Sequence, residues 1–177
     1  MFGKAIELMI KTGMENHIYK FENKVRIQRK GGPIGLALTG EVADCYMLNW
    51  DKQFLDRLKT LGIETLLYSR LKDDILIATE SLDKGTRFVN EELVKDEEMK
   101  IEDDHKSDTE VTMKVLQDIA NSMDPMIKFT VDTPCNYSDN KMPVLDIKVS
   151  INKSLGNRID YEFYEKPTKN PRVILAD

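Results

Sequence analysis

The stretch Ile63-Glu64-Thr65-Leu66-Leu67-Tyr68, the charged link Arg70-Leu71-Lys72-Asp73-Asp74, and the run Ile75-Leu76-Ile77-Ala78-Thr79 decide the fold. Two short apolar runs around a polar link are the pattern of a buried β-hairpin, here with two carboxylates at its tip. Side chains alternate along a strand, so Asp73 and Asp74 point to opposite faces and one of them meets the buried side. A carboxylate at the edge of an apolar layer calls for a compensating charge. Two sources are open: a divalent cation, for which magnesium with its preference for oxygen ligands is the natural choice, or the neighbouring Lys72.

Upstream, Leu36, Ala43, Met47, Trp50, Phe54, Leu58 and Leu61 form one stripe, which predicts a helix over 36–60 that Gly62 terminates. On this stripe Trp50 and Phe54 read as core. Before the helix, Gly31-Gly32-Pro33-Ile34-Gly35 forces a turn. Glycine lets a backbone approach a sugar-phosphate closely, and a helix N-terminus offers N–H groups to anions. Lys20, Lys24, Arg26, Arg29 and Lys30 place five positive charges within the eleven residues before this turn, and Gln28 adds an amide. A hairpin is expected over 17–28, with Ile18, Tyr19 and Phe21 facing Val25 and Ile27 across Glu22-Asn23-Lys24. The recurrence of Phe2, Ala5, Ile6, Met9, Ile10 and Met14 predicts an amphipathic helix over 2–15.

Downstream, residues 91–110 carry ten acidic and three basic side chains, a solvated linker or exposed strand rather than core. Ser107-Asp108-Thr109-Glu110 has the form of a capping box, opening a helix over Val111, Val115, Leu116, Ile119 and Ala120 that ends at Met123-Asp124-Pro125. Strands are expected at 127–131, 144–151 and 158–164, where Tyr161, Phe163 and Tyr164 would pack a sheet. This order of elements predicts an α+β fold, a mostly antiparallel sheet with helices packed on one face.

Composition excludes several classes. The 177 residues carry 26 basic and 31 acidic side chains, a net charge of −5, so no uniformly basic coat is present. The longest uncharged stretch, Gly31 to Gly40, is far short of the ~20 residues a membrane-spanning helix needs. The start MFGKAIELMIKTG is amphipathic rather than signal-like. Cys45 and Cys135 form no metal-ligand spacing, and reduced thiols in an intracellular protein, nuclear or cytoplasmic, are expected. His17 and His105 lie too far apart in sequence to suggest a ligand pair.

Gln28-x-x-Gly31-Gly32-Pro33-Ile34-Gly35 before a helix, then Tyr68-x-Arg70-Leu71-Lys72-Asp73-Asp74-Ile75, resembles the reverse transcriptase palm. Met142-Pro143-Val144-Leu145-Asp146-Ile147 and Phe163-Tyr164-Glu165-Lys166-Pro167-Thr168 are similar to segments that follow the catalytic hairpin in Penelope-like and related retroelement polymerases. The resemblance covers nearly the whole chain, in order. It implies a nucleotidyltransferase acting in RNA-templated DNA synthesis on an RNA or DNA template-primer and a dNTP, with two Mg2+ ions. Asp73 would be a metal ligand with Asp74 beside it in a lesser role. Gly31, Gly32, Pro33 and Gly35 would shape the wall against template and nucleotide, and Gln28 would assist there.

Leu71 replaces the motif's tyrosine and Lys72 its apolar residue; Lys72 would either compete with metal or contact a primer phosphate. The family's first carboxylate comes from a strand before the glycine motif, where this chain offers only Glu7, Glu15 and Glu22. The expectation is a truncated, inactive palm fragment, with residues 1–122 holding the partial palm and 123–177 the strands leading toward a missing thumb. One alternative is a binding module or decayed retroelement remnant acting through the acidic segment 91–110. The other is a different metal-dependent phosphoryl-transfer enzyme, with Asp146 as the third acid.

Overall fold

The computed structural model describes residues 2–15, 17–29, 31–33, 35–98, 105–152 and 158–164. The fold is α+β, with three long helices and small antiparallel sheets, organised as two compact units, residues 1–57 and 58–177.

In the first unit, helix α1 (Phe2–Met14) leads into a hairpin of β1 (His17–Phe21) and β2 (Lys24–Gln28). A ring nitrogen of His17 donates to the Gly13 carbonyl, tying the start of β1 to the end of α1. The turn is Glu22-Asn23, both with positive φ (48° and 61°), the primed geometry that matches strand twist. Its register pairs Ile18 with Ile27 but Tyr19 with Arg26 and Phe21 with Lys24. The expected apolar facing of Tyr19 and Phe21 is thus corrected. The two-residue turn sets the alternation so that both rings meet basic partners.

Helix α2 (Ala37–Thr60) begins two residues after Gly35. Within it Trp50 and Phe54 are buried and stacked, ring centroids 4.9 Å apart and planes at 19°. The helix ends in a Schellman arrangement. Gly62, at φ 76°, donates to the Lys59 carbonyl (3.1 Å) and Ile63 to the Leu58 carbonyl (2.9 Å). Leu58 and Ile63, the two residues that flank this motif, are both buried.

The second unit centres on α3 (Asp108–Met123), whose inward residues Val111, Thr112, Val115, Leu116, Ile119 and Ala120 are all buried. Its capping box is complete: Glu110 N–H donates to Ser107 Oγ (3.2 Å), and the Ser107 N–H donates back to the Glu110 carboxylate (2.8 Å). These hydrogen bonds hold the Glu110 carboxyl below its ordinary value of 4.5. A depressed carboxyl stabilises the fold above its unfolded pKa, and that contribution disappears as pH falls through the lower folded value. The stability difference between the native chain and Glu110→Gln is therefore expected to shrink as pH drops below about 4.5. Urea midpoints at pH 7 and pH 3 check this, and a difference independent of pH would contradict it.

Strands β3 (Thr65–Leu71) and β4 (Asp74–Thr79) pair as anticipated, and β5 (Thr86–Val89) and β6 (Glu92–Lys95) form a second antiparallel pair. The latter hairpin, unanticipated, turns on Asn90 and Glu91 at φ 50° and 71° and places the start of the acidic segment on an exposed strand. Helix α3 packs on β5, and Thr112 Oγ1 accepts the Leu82 N–H (2.8 Å).

The strand expected over 127–131 is corrected. Asn121 Oδ1 accepts the Phe129 N–H (2.7 Å) and Gln117 Nε2 donates to its carbonyl (2.9 Å), so α3 satisfies these groups in place of a ladder. The expected strand over 144–151 is two strands, β7 (Met142–Val144) and β8 (Ile147–Asn152), divided by a turn at Leu145 (φ 58°) and Asp146. Strand β9 (Arg158–Phe163) completes that three-stranded sheet. On its polar face Lys148 pairs with Asp139 (2.6 Å). Across its other face Ile147 stands opposite Phe163 and Val149 opposite Tyr161. Phe163 is 91% and Tyr161 75% exposed, so the expectation that these two rings pack a sheet core is corrected. Among the described residues no helix is long and apolar enough to cross a membrane.

Candidate functional site

Two constellations carry the residues singled out above, one in each unit. In the first, Gln28 ends β2 and its side-chain amide nitrogen donates to the carbonyls of Gly31 and Gly32, both at 3.2 Å. That amide folds the bend back on the strand. Gly31 and Gly35 take positive φ values of 71° and 97°, open to glycine at no steric cost. Gly32 is required for a different reason. A Cβ there would come within 2.3 Å of Thr39 Oγ1 and 2.7 Å of the Met14 terminal methyl. The sequence marked Gly32 as a turn former, but the contact with α1 and α2 is what excludes a side chain. The Pro33 carbonyl accepts the Leu36 N–H (3.3 Å) and the Leu36 carbonyl the Thr39 N–H (3.0 Å), so the chain tightens before the first full helical turn. Ile34 and Lys30 lie outside the described residues.

In the second unit, Lys72 and Asp73 are the two turn residues between β3 and β4, and Asp74 opens β4 opposite Leu71. Lys72 is left-handed at φ 58°. Arg70 Nη1 donates to the Lys72 carbonyl (2.9 Å), a brace on the turn that sequence reading missed. An arginine two residues before a turn was the available signal.

The hairpin was expected to be buried. Instead Leu66, Leu67 and Leu71 are 64%, 49% and 55% exposed, because among the described residues β3 and β4 form a sheet of two strands. Asp73 and Asp74 are both exposed. At this exposed tip water solvates both carboxylates, so neither demands a compensating charge. What the hairpin provides is two adjacent, water-accessible, hard oxygen donors on a braced turn, which fits part of a magnesium ligand set. Among the described residues no three His, Cys, Asp or Glu side chains gather as a metal-holding group. Asp146 is exposed in the β7–β8 turn, and its carbonyl accepts the Tyr164 N–H (2.8 Å).

The acidic segment contributes to a third feature. An open cleft of about 400 Å3 is lined by Asp83, Lys84, Lys95, Asp96, Glu97 and Asp108 among others. Lys95 and Asp83 pair across it at 2.5 Å with both side chains largely exposed, and that partner raises the Lys95 pKa. Exposed pairs of this kind contribute little to stability.

The β3–β4 tip presents two adjacent exposed carboxylates, and the glycine bend offers a close-packed backbone surface. No family model, curated protein or solved structure matches the chain.

Proposed function

We propose that the chain is a reverse transcriptase palm fragment of retroelement type, in which Asp73 and Asp74 are ligands for Mg2+ and Gln28, Gly31, Gly32, Pro33 and Gly35 line the template and nucleotide wall. One observation carries the reading: two adjacent aspartates at the open, braced turn of an antiparallel hairpin. The ordered resemblance of four segments to retroelement polymerases supports it. Magnesium bound there would activate a primer hydroxyl and stabilise the leaving pyrophosphate. The chain's own share is positioning. Arg70 fixes the turn that presents the carboxylates. Gln28 holds the bend whose backbone would lie against the substrate.

Within residues 1–177 the first catalytic carboxylate of the palm has no counterpart, so this set of ligands is incomplete. Magnesium binding is expected to be weak and to depend on Asp73. Calorimetric titration tests this: Asp73→Asn is expected to lower affinity at least about tenfold, by analogy with the loss seen when a metal site's supporting groups are removed. Equal affinity in the variant would overturn the reading. The rival, a binding module acting through the acidic segment, is favoured by the cleft beside Asp96 and Glu97. It predicts no magnesium binding that depends on Asp73 and a partner captured through residues 91–110.

A further inference from the structure

We infer that the β1–β2 hairpin is a docking surface for single-stranded nucleic acid, with Tyr19 and Phe21 as stacking platforms and Lys24 and Arg26 as phosphate contacts. The inference goes beyond the metal-ligand reading and stands on the hairpin alone.

Register puts these side chains together. Tyr19 lies opposite Arg26 and Phe21 opposite Lys24. Residues two apart on a strand share a face, so all four line one side of the ribbon, with His17 and Gln28 at its base. The other side carries the pairs Ile18–Ile27 and Lys20–Val25. Tyr19 is 48% and Phe21 58% exposed, and Lys24 and Arg26 are exposed beside them.

Charge supports the same partner. Residues 17–30 contain five basic side chains and one acid, Glu22, in a chain whose net charge is −5. A concentrated basic stretch on an acidic protein selects a polyanion locally without coating the whole surface. Basic residues alone would serve any polyanion; the interleaved aromatics narrow the choice. Unpaired bases present π-faces that aromatic rings can stack on, whereas a duplex hides those faces. The two rings are separated by two strand residues, about 6.8 Å, twice the ~3.4 Å rise of stacked bases, which admits one base plane between them. Aromatic–cation cross-strand pairs also stabilise hairpins, but that role does not require a run of cations continuing through Arg29 toward the glycine bend.

Fluorescence anisotropy of the full chain with a labelled 12-nucleotide oligo(dT) and an oligo(U) tests the inference, with a 12-base-pair duplex for comparison. Tyr19→Val/Phe21→Val keeps strand propensity and removes the π-faces; it is expected to weaken single-strand binding about tenfold or more while leaving the circular dichroism unchanged. Lys24→Gln/Arg26→Gln is expected to reduce the slope of log K against log salt by about 1.4, since each single-strand phosphate contact contributes about 0.7. Lys20→Gln, on the opposite side, should change affinity far less than either pair. No oligonucleotide binding, duplex binding as tight as single-strand binding, or binding insensitive to the valine pair would overturn the inference. Absence of single-strand binding together with Asp73-dependent magnesium binding would sink the inference alone, and the reverse result would sink the palm reading alone.

Discussion

Truncating Ile119 to alanine is expected to cost the second unit about 2–5 kcal/mol, the range for large-to-small changes at fully buried sites. Ile119 is fully buried at 0% exposure, on the stripe of α3 that also buries Val115 and Leu116. Its removal forfeits the transfer free energy of three carbons and leaves a cavity that the surrounding side chains only partly fill. The expected magnitude is a large fraction of the stability of an ordinary domain. Urea denaturation followed by circular dichroism measures it, with Lys114→Ala as the comparison. Lys114 is exposed and makes surface contacts with Asp118 at 2.9 Å and the Gln117 amide oxygen at 3.2 Å, so its loss should stay within about 0.5 kcal/mol. A loss below about 1 kcal/mol at Ile119 would mean that α3 is not where this unit buries its core.

Template-directed synthesis is the second large effect. The 177-residue chain is expected to extend a primer no faster than background with Mg2+ or Mn2+. Two-metal catalysis requires carboxylates that clamp both ions, and each tenfold in rate corresponds to about 1.4 kcal/mol of transition-state stabilisation. Asp73 and Asp74 supply two adjacent acids, and no third acid gathers with them among the described residues. A primer-extension assay with labelled oligonucleotides reads the outcome. Product that disappears in Asp73→Ala would contradict the proposal of an incomplete ligand set, because it would require a complete set within these residues.

Much of this architecture was legible because local chemistry and tertiary demand agree. Ser107 and Glu110 can cap a helix by themselves, and Val111, Val115, Leu116, Ile119 and Ala120 keep one period, so both the start and the buried face of α3 were readable. Gly62 stops α2 by adopting a left-handed conformation that costs glycine no steric strain. The misreadings arise where apolar content is uninformative about direction. Val144-Leu145-Asp146-Ile147 reads as continuous strand, yet Leu145 takes φ 58° and reverses the chain without glycine or proline. Residues 127–131 are as apolar as a strand, but the amides of Gln117 and Asn121 capture Phe129 first. Asn90-Glu91 makes a turn with no glycine to announce it.

The candidate site was legible to a similar depth. Sequence located the paired acids at a hairpin tip and the glycine bend before α2, both as found. It misjudged burial, because exposure depends on whether further strands flank a hairpin, and nothing in 63–79 encodes that. It also missed partners set by register and space: Arg70 on the turn carbonyl, Thr39 and Met14 against Gly32, and Arg26 opposite Tyr19.

The central claim is that Asp73 and Asp74 form a cation-holding turn. Manganese titration of the 15N-labelled chain, followed by amide line broadening, tests it most directly. The account predicts that amides of residues 71–75 broaden first and that Asp73→Asn abolishes this selectivity. Broadening that begins instead at residues 91–98, or that is unchanged in the variant, would contradict it.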